Sequence, residues 1–86
     1  MQFIHSEVHT QPGNLIQVTL RGTEANVQVM DDYNFQNYRS GRQFQYVGGH
    51  YRQSPVNIQA PGTGRWHVVI DLGGLGGSVN ASVRVI

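Results

Sequence analysis

The sequence of 86 residues contains no cysteine and no lysine. Without cysteine it can form no disulfide bond, and no site can use a thiolate ligand or a thiol nucleophile. Its apolar runs are only a few residues long, whereas a membrane-spanning helix needs roughly 20. The segment 1–8 carries His5 and Glu7 and has no apolar signal core, so we expect a cytoplasmic protein without a membrane partner.

Positive charge comes from six arginines alone, and the formal net charge is +1. This charge is too small to hold a nucleic-acid backbone by bulk attraction, so nucleic acid is not the expected partner. Arginine also offers a planar, bidentate fork of donors that stacks on rings. Three of the six, Arg39, Arg42 and Arg52, fall within or beside one aromatic-rich segment. Their placement favours a local site for a small anionic or planar ligand.

Apolar and polar residues alternate along most of the chain, as in strands that bury one face and leave the other in water. The alternation predicts six or seven short antiparallel strands. Their centres are the segments 3–8, 16–20, 27–29, 44–46, 56–60, 66–72 and 79–85.

Glycine and proline mark the turns between these strands. Gly48-Gly49 is interpreted as a hairpin turn, and Gly73-Gly74-Leu75-Gly76-Gly77 as a flexible hairpin loop, since it lacks the Lys-Ser/Thr of a phosphate-binding loop. Pro55 and Pro61 bracket one strand, which is typical of a strand at a sheet edge.

One segment, from Asp31 to Arg39, breaks the alternation. An aspartate N-cap, Phe35 and Tyr38 three residues apart, and Gly41 at the end predict a short helix. The helix is too short to be stable alone, so one of these two rings must anchor it to the sheet. We therefore predict one all-β domain over residues 1–86. It would be a small antiparallel β-sandwich or flattened barrel of six to seven strands with one short helix.

The segment from Asp31 to Arg52 is the richest in long polar and aromatic side chains. Arginine forks, tyrosine hydroxyls and a histidine there could line a pocket. The candidate ligand-binding residues are Asp31, Asp32, Asn34, Tyr38, Arg39, Tyr46, His50, Tyr51 and Arg52. Alternatively, the aspartates cap the helix, the rings pack inward, and the arginines form ordinary surface ion pairs.

Catalytic and metal-binding motifs are absent from the sequence. It has no GxSxG and no HExxH, and His5 and His9 share one strand face rather than a helical chelate. His67 is expected on the outer, solvated face of its strand. We accordingly predict no catalytic residue, no metal ligand and no cofactor. The alternative is a metal-free, phosphodiesterase-like centre of His50, Tyr51 and Arg52.

Several motifs resemble a small bacterial all-β family of unknown function, DUF1883, also described as an Atu-type superfamily. The resemblance covers nearly the whole chain and is strongest over residues 30–41, continuing through Phe44-Gln45-Tyr46, Gly48-Gly49-His50-Tyr51-Arg52 and Pro55. It includes the opening Met1-Gln2-Phe3-Ile4-His5, the segment Asp71-Leu72-Gly73-Gly74 and the final Val85-Ile86. The resemblance implies a compact β-sandwich that also occurs joined to TIR domains, which are NAD-cleaving or signalling modules of bacterial immunity. It implies no catalytic residue.

Taken together, these features predict a non-enzymatic binding module that takes a small anionic or planar ligand, or a TIR-type protein partner in bacterial immune signalling. Two alternatives remain open. In the first, exposed strand edges pair with copies of the same chain and form a homo-oligomer. In the second, the protein is a small enzyme that acts on a phosphoester or nucleotide and depends on His50 and arginine.

Overall fold

The computed structural model describes residues 3–74 and 76–86. Within these ranges the chain folds into two antiparallel sheets and one helix. The elements are β1 (Phe3–Thr10), β2 (Leu15–Gly22), β3 (Ala25–Met30), α1 (Asp32–Arg39), β4 (Val47–Tyr51), β5 (Val56–Gln59), β6 (Gly64–Asp71) and β7 (Val79–Val85). A four-stranded sheet has the order β1-β6-β3-β4, and a three-stranded sheet has the order β5-β2-β7. The predicted all-β, sandwich-like fold is confirmed.

The main core lies between the two sheets. It is built from alternate residues of each strand, because side chains separated by two positions point to the same face. Val27, Val68 and Ile70 come from the four-stranded sheet, and Ile16 and Val18 from the three-stranded one; all five are at most 1% exposed. The period-two pattern thus identified the inward-facing residues correctly.

The prediction that every strand keeps one face in water is wrong for β3 and β6. The last five residues of β6, 67–71, are all buried. The reason is that α1 packs over the outer face of the four-stranded sheet, where Phe35 meets Met30 and Val69 in a second, smaller core. The molecule therefore has three layers rather than two.

Local signals predicted α1 well. Asp31 is the N-cap, and its Oδ1 accepts a hydrogen bond of 2.9 Å from the backbone N–H of Asn34. The helix ends at Arg39, and Gly41 follows with a φ of 77°, which favours glycine. Phe35 anchors the helix to the sheet, as predicted from its short length.

The fourth strand lies later in the chain than predicted. Residues 44–46 are not a strand, because Phe44 packs edge-on against Tyr38 at 5.1 Å and the backbone N–H of Gln45 donates to Asn34 Oδ1 at 2.8 Å. The segment is thereby tied to the helix. Gly48-Gly49 is not a turn but lies inside β4. Gly48 has a φ of 138°, and a Cβ at this position would clash with the carbonyl of Val27 on β3.

Two further predictions concern the strand ends. β5, which Pro55 and Pro61 flank, is an edge strand of the three-stranded sheet, as expected. The glycine-rich segment 73–77 connects β6 and β7, which belong to different sheets, so it is not a hairpin; Leu75 itself lies outside the described residues.

Within the described ranges, no helix has the length and apolarity needed to cross a membrane.

Candidate functional site

The outer face of the four-stranded sheet carries most of the polar side chains that contact one another. Strand register places Glu7 opposite His67, and His5 opposite Val69. Asp71 lies between Phe3 on one side and Asn26 on the other. Because α1 lies over this face, it separates two groups of polar residues, each with its own contacts.

The first group lines a groove between α1 and strands β1 and β6, which we call the histidine groove. It has a volume of about 560 Å³, within the range of small-molecule sites. Helical periodicity directs residues at positions 32, 35, 36 and 39 of α1 toward it. Its lining residues are Phe3, His5, Glu7, Asp32, Phe35, Gln36, Arg39, Arg65 and His67.

Two histidine rings meet in this groove. His5 Nε2 lies 2.8 Å from His67 Nδ1, and His67 Nε2 contacts a carboxylate oxygen of Asp32. Since a carboxylate only accepts, His67 Nε2 carries the proton. In the neutral ring, His67 Nδ1 then has a lone pair and accepts a hydrogen bond from His5 Nε2–H. His67 is only 4% exposed, so its predicted solvation is wrong.

The ring of Phe35 fixes both histidines. Its centroid lies 4.2 Å from that of His5 and 4.4 Å from that of His67, with interplanar angles of 16° and 10°. Burial, together with the neighbouring His67, lowers the pKa of His5 below its usual value. The two imidazoles are therefore pre-oriented, and the lowered pKa of His5 favours its neutral ring, in which a ring nitrogen can act as a ligand.

Charged groups surround the histidine pair. Arg65 donates to Asp32 Oδ2 at 2.6 Å and lies 3.9 Å from a carboxylate oxygen of Glu7. The hydrogen bonds from Arg65 and His67 hold the pKa of the Asp32 carboxyl below its usual value. Arg39 differs from Arg65, because its guanidinium lies 5.6 Å above the Phe35 ring and makes no ion pair within the described part of the chain.

The second group is a hydrogen-bonded chain, which we call the Asp71 network. Buried Asp71 accepts from the Tyr38 hydroxyl at 2.6 Å and from Asn26 Nδ2 at 2.8 Å. His50 Nδ1 then donates to Asn26 Oδ1 at 2.9 Å. Burial and the hydrogen bond to Asp71 raise the pKa of the Tyr38 hydroxyl.

The Asp71 network continues to the surface. Glu24 lies 3.5 Å from His50 Nε2 and accepts from Arg52 Nε at 2.9 Å. These polar groups largely satisfy one another, so the arrangement joins β3, β4, β6 and α1 rather than opening a site.

The predicted ligand-binding residues do not converge on one surface. Asp32 and Arg39 line the histidine groove, whereas Tyr38, His50 and Arg52 belong to the Asp71 network. The other four are accounted for by local structure. Asp31 caps the helix, Asn34 fastens the following loop, Tyr51 packs against the main core, and Tyr46 lies exposed beside Phe44.

The candidate residues chosen from the sequence omitted the other four titratable residues of the histidine groove: His5, Glu7, Arg65 and His67. The alternation of β1 places His5 and Glu7 on the same face, and that signal was readable. The sequence does not show which strand lies beside β1, because β1 pairs with β6 and 62 residues separate His5 from His67. Their donor atoms, with those of Glu7, all lie within 4.8 Å of one another.

Comparison with known proteins gives one family and no characterised relative. A family model described as a domain of unknown function, DUF1883, matches residues 1–86, the whole chain. No curated protein and no solved structure gives a significant match.

Proposed function

This chain belongs to the DUF1883 family, whose description assigns no activity, and we propose from its geometry that it is a non-enzymatic binding module. Its ligand is a small molecule that carries an anionic group and a planar ring. The binding site is the histidine groove rather than the whole segment from Asp31 to Arg52.

The observation that carries this proposal is the position of Arg39. Its guanidinium is oriented over Phe35 at the groove, yet no carboxylate among the described residues pairs with it. The other groove cation, Arg65, is held by Asp32 at 2.6 Å. Arg39 is therefore the group that can offer a bidentate fork to a phosphate or carboxylate.

The planar part of the ligand is supported by the aromatic surface beside the groove. Phe3 is 36% exposed and meets Phe35 and Tyr38 edge-on, at centroid distances of 6.2 and 5.2 Å. These contacts hold the Phe3 ring in place, so its exposed surface offers a preformed apolar contact. Mononucleotides and dinucleotides combine an anion and a flat ring in this way.

The test is a thermal-shift screen of mononucleotides and NAD derivatives in the presence of EDTA. We expect at least one to raise the melting temperature of the wild type, and Arg39→Gln to abolish that shift. Arg21→Gln is the matched control, since Arg21 is also an exposed arginine without an ion pair in the described structure. A screen without any shift, or an unchanged shift in Arg39→Gln, contradicts the proposal.

Homo-oligomer formation is the second candidate, and the edge strand β4 favours it. Among the strands that the structure describes, β4 pairs only with β3, so its other edge presents backbone groups without a strand partner there. Val47, the first residue of β4, is 45% exposed, and the preceding Tyr46 is 47% exposed. Gly48 and Gly49 have no side chains that would block a second strand. A link to TIR-type signalling and an enzyme that depends on His50 stay predictions from the sequence.

A further inference from the structure

We infer that His5, Glu7 and His67 form a binding site for a divalent transition-metal ion of the zinc type. The three residues come from adjacent strands. His5 and Glu7 share one face of β1, and His67 lies directly opposite Glu7 on β6. Their donor atoms all fall within 4.8 Å of one another. The inference does not depend on the proposed anionic ligand.

The spacing of the two imidazoles suits a shared ion. Zinc–nitrogen distances of about 2.0–2.1 Å place two histidine nitrogens roughly 2.9–3.4 Å apart for angles between octahedral and tetrahedral. His5 Nε2 and His67 Nδ1 are 2.8 Å apart. The two nitrogens therefore need to move apart by only a few tenths of an ångström for the ion to take the place of the proton that the two rings share.

The surroundings of His67 match those of a metal ligand. Its Nε2–H donates to the Asp32 carboxylate, which Arg65 holds on the other side. Such a carboxylate fixes the tautomer and orientation of a ligating histidine. Here it leaves the lone pair of Nδ1 directed toward His5. The contact between His67 and Asp32 is separate from the cluster of His5, Glu7 and His67. It supplies the hydrogen-bond partner that His67 needs as a metal ligand.

The donor set indicates which ions fit. Two imidazoles and one carboxylate suit zinc, iron(II) or similar ions, whereas magnesium and calcium favour oxygen ligands. Phe35 closes one side of the ring pair, and the groove leaves the other positions open to water or a small ligand. Glu7 and Asp32 supply negative charge in the same groove as the positive charges of Arg39 and Arg65.

The test uses isothermal titration of EDTA-treated, dialysed protein with Zn²⁺, and Co²⁺ absorption to report coordination geometry. We expect one ion per chain, and a loss of affinity of more than about tenfold in His5→Gln and in Glu7→Gln. Both side chains are exposed, so the variants should fold. His9→Gln is the matched control, because His9 lies on the same face of β1, two residues beyond Glu7 and outside the cluster.

Two results would overturn the inference: no Zn²⁺ binding by the wild type, or equal affinity in His5→Gln and the wild type. Thermal shift with nucleotides in EDTA tests the proposed ligand without metal. Loss of zinc binding and loss of ligand binding are therefore separate outcomes.

Discussion

Tyr38 joins α1 to the four-stranded sheet through its hydroxyl, which donates to buried Asp71. Burial and this hydrogen bond raise the phenol pKa above the usual 10.0. The unfolded chain therefore loses this proton at lower pH than the folded chain does. By linkage, the stabilisation from Tyr38 is fully present below about pH 10 and declines as the pH rises above it.

We expect Tyr38→Phe to show two effects. At neutral pH the free energy of unfolding falls by about 1.5–3 kcal/mol, because a hydrogen bond to a buried carboxylate is lost. Above about pH 10, the decline of stability with pH becomes shallower than in the wild type. Few other groups titrate in this pH range, because the chain has no lysine or cysteine and tyrosine is the main side chain that titrates there.

Urea unfolding at a series of pH values from neutral to above about pH 10 measures both effects. Tyr46→Phe is the control, since Tyr46 is 47% exposed and should change neither the stability nor the slope. An unchanged alkaline slope in Tyr38→Phe would show that Tyr38 is not the group responsible.

At the residue scale, the sequence predicted what depends on neighbours in the chain and missed what depends on distant contacts. Asp31 as an N-cap follows from the residues that come after it, and the structure confirms it. The alternation placed His67 on the outer face correctly. Its burial could not be read in the same way, because it depends on the helix residues Asp32 and Phe35 lying above it.

At the scale of elements, α1 depends on one buried ring. Phe35 is 5% exposed and contacts Met30 and Val69 as well as both groove histidines. An eight-residue helix is not stable by itself, so this packing keeps it in place. The histidine groove has α1 as one wall and needs the helix to be docked.

We expect Phe35→Ala to lower the free energy of unfolding by about 3–5 kcal/mol, as for other buried phenylalanines. Tyr33 lies on the same helix and is 75% exposed, so Tyr33→Ala should change it by no more than about 0.5 kcal/mol. Urea denaturation monitored by Trp66 fluorescence compares the two. Equal losses in both variants would contradict the assignment of Phe35 as the anchor.

The misplaced fourth strand shows why element boundaries are harder to predict than helix caps. Phe44 and Tyr46 alternate with glutamines as strand residues do, but Phe44 packs on the helix residue Tyr38 instead. Gly48 is a poor strand former by propensity. It nevertheless lies in β4, because the backbone there comes too close to Val27 for any side chain.

At the scale of the molecule, strand pairing is almost entirely non-local. Within residues 3–74 and 76–86, only β3 and β4 pair as consecutive strands, and α1 lies between them. Apart from Gly48-Gly49, which lies inside β4, the predicted glycine- and proline-rich turns fall at or near the ends of elements, and most of them carry the chain from one sheet to the other. A single sequence shows that strands exist and which face is apolar. It does not show that β1 lies beside β6, which is the pairing that creates the histidine groove.

The last prediction concerns self-association through β4. We expect the average mass from light scattering to rise toward that of a dimer with increasing protein concentration, because the free edge of β4 can pair with its copy. Val47→Lys should keep the protein monomeric, since Val47 is 45% exposed at this edge and a lysine there opposes strand pairing. Asn57→Lys is the matched control, an exposed position on β5, the edge of the other sheet, and should associate like the wild type. Assembly through β4 would be excluded if the wild type stays monomeric at every concentration. It would also be excluded if Val47→Lys associates as the wild type does, and either result would leave the groove as the functional surface.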